Sequence, residues 1–225
     1  MKLIGIDTET TNGLIDKDGK LDLSQSLVYD VGWAVVNDKG KVFKTRSYVV
    51  AEIFLDKELM TQAFYADKIP NYWNEIKKGE RILSPFWKIR KKFFEDTKKY
   101  KVEAVFAHNA FFDYTALNNT LRLLSGSKYR WFFPYKLDIW DTLIMSKQVF
   151  NRNEKYCEFC NKNGYLTNHK PPQNKMTAEI LFRFLSGENG FEESHTGLED
   201  VIIEKEILAE CMKCNRKIRK TLFKE

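Results

Sequence analysis

The chain has 225 residues, 43% of them hydrophobic, with a formal charge of +6 and a pI near 9.0. These values predict a single domain over residues 1–225, with helical insertions around residues 56–101 and 150–187. The positive charge favours a polyanionic partner. The opening apolar run is short and is interrupted by Asp7, so we expect no signal peptide, no membrane span and a cytoplasmic location.

The first predicted strand carries two carboxylates in apolar surroundings. Asp7 and Glu9 lie two residues apart in the run KLIGIDTETTNG, a spacing that places both side chains on one face of a strand. Two such acids repel each other and lose hydration, an arrangement expected mainly where cations bind between them. The alternative is a strand end with two solvated acids, but the neighbouring Leu3, Ile4 and Ile6 favour an interior strand.

Two more strands follow a polar loop at residues 15–26. Residues 27–38 and 41–50 are rich in β-branched and aromatic residues, and an Asp-Lys-Gly sequence between them predicts a hairpin turn. Asp30 falls inside the second strand without a motif partner, so we assign it no metal-binding role. Helices that alternate with two later strands complete the pattern of an α/β fold with a mixed sheet.

Residues 56–101 are predicted to be mainly helical, and their second half is basic and aromatic. In residues 77–101, lysines and arginines alternate with Phe86, Trp87 and two further phenylalanines. This segment either follows a phosphate backbone or places its aromatic rings in the core and its charges in solvent. We favour the core interpretation.

A third acid follows the short apolar strand at residues 104–107. His108 and Asn109 come directly after that strand, and Asp113 lies at the start of a predicted helix over residues 114–124. An acid at a helix start also stabilises the helix dipole, so this position alone does not separate a ligand from a structural residue.

The next predicted elements connect this segment to the end of the chain. Residues 136–150 read as a last strand that continues into a helix, and we interpret Asp141 as the cap of that helix. Pro171 and Pro172 interrupt the following region. Thr177 then opens a helix with a core-facing apolar side.

The segment that begins at Glu193 combines a histidine with a carboxylate. Thr196 and Glu199 have the spacing of a capping box, which predicts a helix beginning near Gly197. His195 then lies just outside the helix and Asp200 in its first turn. This arrangement suits a general base beside a bound cation, although a histidine near a helix start is also a common surface residue.

The cysteines form two CxxC pairs, Cys157 with Cys160 and Cys211 with Cys214. Paired CxxC units are a common pattern in structural Zn²⁺ sites. The second pair lies on a predicted long helix, where thiols can simply face the core. We favour buried free thiols over zinc, and zinc over disulfides, which a cytosolic compartment disfavours.

The three acid-bearing segments together resemble the DEDDh (DnaQ-like) family of 3′ to 5′ exonucleases, of the ribonuclease H-like superfamily. The family's Asp-x-Glu motif is matched by Asp7 and Glu9, its His-Asn-Ala-x-Phe-Asp motif by residues 108–113, and its His-x₄-Asp motif by His195 and Asp200. The sequence departs from the family after the first motif, where Asn12 is inserted before a Gly-Leu pair.

The resemblance implies a ribonuclease H-like fold, with a mixed central sheet of about five strands flanked by helices. It also implies a centre of two divalent cations, Mg²⁺ or Mn²⁺. The residues that it assigns to metal binding are Asp7, Glu9, Asp113 and Asp200. His195 would act as the general base, and the residues that would contact the terminal nucleotide are Thr8, Thr10, Thr11 and Asn109.

The same resemblance implies that the substrate is a single-stranded nucleic acid with a free 3′ end, and our first interpretation is that this nucleic acid is DNA. A DNA polymerase or another replication protein is a candidate partner in proofreading. Two alternatives stay open. One is an exoribonuclease with the same site, because no residue that we identify reads the 2′-hydroxyl. The other is a zinc-containing nucleic-acid-binding module with a vestigial acidic site.

Overall fold

The computed structural model describes residues 1–11, 22–63 and 65–223. The insertion at Asn12 and most of the predicted loop at residues 15–26 lie outside these ranges. No helix in the described part of the chain is both long and apolar enough to cross a membrane.

The described residues form one six-stranded mixed sheet. Its strands are β1 (Lys2–Thr11), β2 (Leu27–Asn37), β3 (Val42–Val50), β4 (Ile82–Ser84), β5 (Ala104–Ala107) and β6 (Asp138–Asp141). They lie in the order β4-β3-β2-β1-β5-β6, with β2 antiparallel to both neighbours and the other pairs parallel. The predicted mixed α/β sheet is confirmed, and the additional strand is β4, a three-residue edge strand inside the region predicted to be helical.

Helices cover both faces of this sheet. They are α1 (Ala51–Phe54), α2 (Lys57–Met60), α3 (Ile69–Lys78), α4 (Phe86–Tyr100), α5 (Phe111–Ser125), α6 (Thr142–Phe150), α7 (Glu154–Asn163), α8 (Ala178–Ser186) and α9 (Gly197–Met212). The predicted starts of α8, after Thr177, and of α9, at Gly197, are confirmed. The region 56–101 contains α2, α3 and α4 besides β4, and the region 150–187 contains α7 and α8.

Strand periodicity divides the core into two layers. Ile4 and Ile6 of β1 pack in the layer that contains Phe86 and Phe93 of α4, whereas Leu3 packs in the opposite layer beneath α9. Both phenylalanines are buried, so they support the core interpretation of the basic aromatic segment. Trp87, on the same helix, is 61% exposed.

Two glycines let α9 lie directly against the sheet. A Cβ atom on Gly32 of β2 would lie 2.1 Å from the backbone nitrogen of Leu198, and one on Gly197 would lie 2.8 Å from the carbonyl oxygen of Asp7. No side chain fits at such distances. The first turn of α9 therefore contacts the backbone of β1 and β2 beside Asp7 and Glu9.

Gly32→Ala is expected to lower the free energy of unfolding by roughly 1–3 kcal/mol, because the added methyl group forces α9 away from the sheet. Urea denaturation followed by circular dichroism measures the effect. Gly190→Ala is the matched control, since a Cβ atom there would meet nothing within 4 Å. Equal denaturation midpoints for the two variants would contradict the close approach of α9.

Candidate active site

Three carboxylates from two elements converge at one end of the sheet. Asp7 and Glu9 project from β1 on the side that faces α9, as their two-residue spacing predicts, and Asp200 projects from the first turn of α9. Their ligand oxygens all lie within 4.8 Å of one another. The residues that are far apart in sequence are therefore close enough to share a cation.

Asp113 approaches the same cluster from the first turn of α5. Its Oδ1 accepts a 2.8 Å hydrogen bond from the Thr8 hydroxyl, which faces the opposite side of β1 from Asp7. Asp113 is buried, and its charge is the strongest charged influence on the carboxyl group of Asp7. Asn109, just before α5, has the left-handed φ of 67° and donates its backbone N–H to Asp141 Oδ1 at 3.2 Å.

Burial and mutual repulsion raise the pKa of every acid in the cluster. Burial is the main cause in each case, and it raises the pKa of Glu9 to about 10, of Asp200 to about 8 and of Asp113 to about 7. The pKa of Asp7 lies well above its ordinary value because of burial and the charges of Asp113 and Glu204. Where no cation is bound, burial therefore disfavours the ionised forms of these acids.

The donor set fits Mg²⁺ or Mn²⁺. Both ions prefer hard carboxylate oxygens, and a cation between Asp7, Glu9 and Asp200 would replace the repulsion among them with attraction. A buried carboxylate oxygen of Glu204 without a hydrogen-bond partner in the described structure adds to the demand for positive charge.

His195 borders the same cleft as the acids, immediately before α9. Its imidazole ring stacks on the Tyr65 ring, with centroids 4.6 Å apart and an interplanar angle of 12°, and its Nδ1 lies 3.9 Å from Glu193 Oε2. The backbone has the left-handed φ of 52°. Since the side chain is 38% exposed, the imidazole is accessible to water as well as to the cleft.

The predicted capping box at the start of α9 does not form. The Thr196 hydroxyl makes no bond to the helix backbone and instead donates to the Glu199 carboxylate at 2.5 Å. Glu199 is held by Arg81, with an N–O distance of 3.0 Å. The first backbone N–H groups of α9 are satisfied by acids instead: Gly197 N–H donates to Asp30 Oδ2 and Thr196 N–H to Asp200 Oδ2, both at 3.0 Å.

The residues predicted to contact the terminal nucleotide occupy different environments. Thr8, Thr10 and Asn109 border the cleft. The hydroxyl of Thr8 is already engaged with Asp113 and Thr10 is buried, which leaves Asn109 as the exposed group among them. Thr11 is buried, forms an isolated β-bridge with Ala63 and does not border the cleft.

Comparison with known proteins supports the fold. No protein-family model and no curated protein sequence matches the chain. Among solved structures, the nuclease domain of 3'hExo, a DEDDh family member bound to rAMP, is 13% identical, with a TM-score of 0.53 and coverage of 98% of this chain and 96% of that one. The chain has the fold of the DEDDh nucleases.

Two other solved structures share this DEDDh fold. S. pombe Pop2p in a Mg²⁺- and Mn²⁺-bound form is 11% identical, with a TM-score of 0.54 and coverage of 92% of this chain and 81% of that one. E. coli exonuclease I in complex with a dA16 oligonucleotide is 13% identical, with a TM-score of 0.50 and coverage of 92% and 40%. The ribonuclease H-like fold that the sequence predicted is therefore confirmed.

Residues 150–187 contribute to the lining of the cleft, which the sequence did not predict. The cleft has a volume of about 710 Å³. Besides the acids, it is lined by polar and basic residues of α6 and of the segment between α7 and α8. They include Lys147, Thr167, His169, Gln173, Asn174 and Lys175.

His108, in the motif at residues 108–113, connects the segment between α7 and α8 to α6. Its Nε2 lies 2.6 Å from the carbonyl oxygen of Met176 and its Nδ1 lies 3.0 Å from Thr142 Oγ1, and burial lowers its pKa. A neutral ring that donates from Nε2 satisfies the Met176 carbonyl group. Asp141 caps α6, as predicted, by accepting from Leu143 N–H at 2.8 Å.

The four cysteines are free. Cys160 of α7 and Cys211 of α9 are buried in the core layer beneath α9, and burial raises the pKa of both thiols. The candidate metal-binding group in the described ranges consists of carboxylates, with no cysteine among them. The structure thus gives no support to the zinc interpretation of the CxxC pairs.

Proposed function

We propose that this protein is a metal-dependent 3′ to 5′ exonuclease that acts on single-stranded nucleic acid, with DNA as the expected substrate. The observation that carries the proposal is the convergence of Asp7, Glu9 and Asp200 within 4.8 Å in an open cleft, with Asp113 beside them. The DEDDh fold supports it, and so do the similar solved structures, which contain rAMP, Mg²⁺ and Mn²⁺, or a dA16 oligonucleotide. One domain over residues 1–225 is part of this proposal.

Each acid has a separate task in this proposal. Asp7, Glu9 and Asp200 would hold a divalent cation on the side of the cleft that faces α9. Asp113 would contribute a carboxylate ligand from α5, oriented by the Thr8 hydroxyl group. Divalent ions bound there would stabilise negative charge on the phosphate and acidify the attacking water. Thr10 and Asn109 border the space where the terminal nucleotide would be oriented.

Basic residues at the cleft supply positive charge for the substrate backbone. Lys147 and Lys175 border the same cleft as the acids. A phosphate carries negative charge that the acids alone would repel, so these lysines favour the binding of a nucleic acid strand in the cleft. In this proposal the strand lies beside α6 and the segment between α7 and α8.

His195 is the proposed general base. The Glu193 carboxyl group near Nδ1 favours a proton on that nitrogen, which leaves Nε2 to accept a proton from water. Burial and the neighbouring Lys68 lower the pKa of His195, so the ring is neutral at physiological pH. A neutral imidazole is the form that a general base requires.

His195→Gln is expected to lower kcat by about 10²–10⁴-fold, the usual contribution of a general base. A general base works unprotonated, so wild-type activity should fall as the pH drops through the pKa of His195, which lies below 6.5. Bound cations would also lower the pKa of His195. Rates measured from pH 5 to 9 should show that acidic limb for the wild type and lack it for the variant. An unchanged limb in His195→Gln would assign the proton transfer to another group.

The activity itself is tested with oligonucleotides labelled at the 5′ end. With Mg²⁺ or Mn²⁺, single-stranded DNA should shorten stepwise from its 3′ end, and a chelator should stop the reaction. Circular single-stranded DNA is the control, because an exonuclease needs an end. Cleavage of the circle, or equal activity in the chelator, would contradict the proposal.

RNA of the same sequence and duplex DNA complete the comparison. Faster shortening of RNA than of DNA would support the same reaction with RNA as the substrate. Binding of every strand without shortening of any would instead support a nucleic-acid-binding module with an inactive site.

A further inference from the structure

Glu204 is a carboxylate at the cleft besides the four predicted metal ligands. It lies four residues after Asp200 on α9, a spacing that places both side chains on the same face of the helix. That face is held against β1 by the close approach of Gly32 and Gly197. Glu204 borders the cleft and is only 3% exposed.

The two oxygens of this carboxyl group have different surroundings. Oε1 accepts a 3.0 Å hydrogen bond from the backbone N–H of His108. Oε2 is buried and has no hydrogen-bond partner in the described structure. Leaving a carboxylate oxygen unpaired in the interior is costly, so this atom requires a partner that the described residues do not supply.

The surroundings of Glu204 supply negative charge. Asp113 is the neighbouring charge with the largest effect on its carboxyl group, and Glu204 in turn acts on Asp7. None of the ion pairs formed by the described residues includes Glu204. A purely structural acceptor for the His108 N–H would need one neutral oxygen, which a glutamine also provides.

We propose that Glu204 is a further ligand of the divalent-cation centre, with Oε2 as the oxygen that would bind a cation. The inference rests on the proposed function, since it assumes that cations occupy the acidic cleft. It also gives a reason for a buried carboxylate on the helix that carries Asp200. The backbone N–H of His108 orients the group by holding the other oxygen.

Calorimetric titration with Mn²⁺ tests the assignment without relying on activity. Glu204→Gln retains an oxygen for the His108 N–H but removes the charge, and it should weaken Mn²⁺ binding at least about 10-fold. Glu206→Gln, on the exposed side of the same helix, should bind Mn²⁺ as the wild type does. Thermal unfolding in chelator should show Glu204→Gln to be at least as stable as the wild type, because the amide keeps an acceptor for the His108 N–H and cannot ionise.

Glu204→Asp is the second variant, and it decides the question if the glutamine variant does not fold. It keeps the charge but withdraws the oxygens by one methylene group, so it should also weaken Mn²⁺ binding. Wild-type affinity for Mn²⁺ in the folded variants would overturn the role of Glu204. A wild-type protein that binds no Mn²⁺ would instead overturn the proposed function.

Discussion

Asp7→Asn is expected to lower the rate of hydrolysis by at least about 10³-fold. Bound metal ions contribute several kcal/mol to such reactions, and each 1.36 kcal/mol corresponds to a factor of ten. Asp7 is the acid that the charges of Asp113, Glu204, Glu9 and Asp200 all act on, so it occupies the middle of the cluster. Initial rates with a 5′-labelled single strand and saturating Mg²⁺ measure the loss.

The same substitution should leave the fold intact. In a chelator, Asp7→Asn is expected to unfold at the wild-type temperature or above it, because an amide cannot ionise and so keeps this buried position neutral. Asp138→Asn is the matched control, an exposed acid on β6 that does not border the cleft. A correctly folded Asp7→Asn protein that still digests single strands would refute the assignment.

The sequence predicted those parts of the site that depend on local periodicity. Asp7 and Glu9 share a face because strands alternate, and Asp200 was predicted in a first turn because the start of α9 is recognisable. Asp113 was predicted at the start of a helix over residues 114–124, but α5 begins at Phe111, so Asp113 lies in its first turn. The resemblance to a nuclease family then connected segments that local patterns could not connect. The order of these acids along the chain was enough to predict the fold that the solved structures share.

Tertiary packing determined what the sequence did not predict. The capping box at Thr196 does not form because Arg81, which lies 118 residues before Glu199 in the chain, forms an ion pair with the Glu199 side chain. Lys147, on α6, and Lys175, between α7 and α8, reach the cleft only through tertiary packing. Glu204 did carry a signal, since it lies one helical turn beyond Asp200, but nothing in the sequence showed that this face of α9 packs on β1.

Asp30→Ala is expected to lower the free energy of unfolding by roughly 3–5 kcal/mol, the usual cost of removing one partner of a buried ion pair. Asp30 is fully buried and accepts from Arg81 Nη1 at 2.9 Å and from the Tyr72 hydroxyl at 2.7 Å. Its loss leaves the Arg81 guanidinium, 3% exposed, without its main buried counter-charge. Urea denaturation measures the change, and Asp67→Ala, at an exposed position, is the control.

The double variant Asp30→Leu/Arg81→Met separates the ion pair from simple packing. It removes both charges, so it should be less destabilised than Asp30→Ala. A loss of less than about 1 kcal/mol in the free energy of unfolding of Asp30→Ala would contradict the role of the buried ion pair. Asp30 also accepts from the backbone N–H of Gly197 and so fixes the start of α9 beside the cleft. Both Asp30 variants should therefore bind Mn²⁺ more weakly than the wild type even where they remain folded, because α9 carries Asp200.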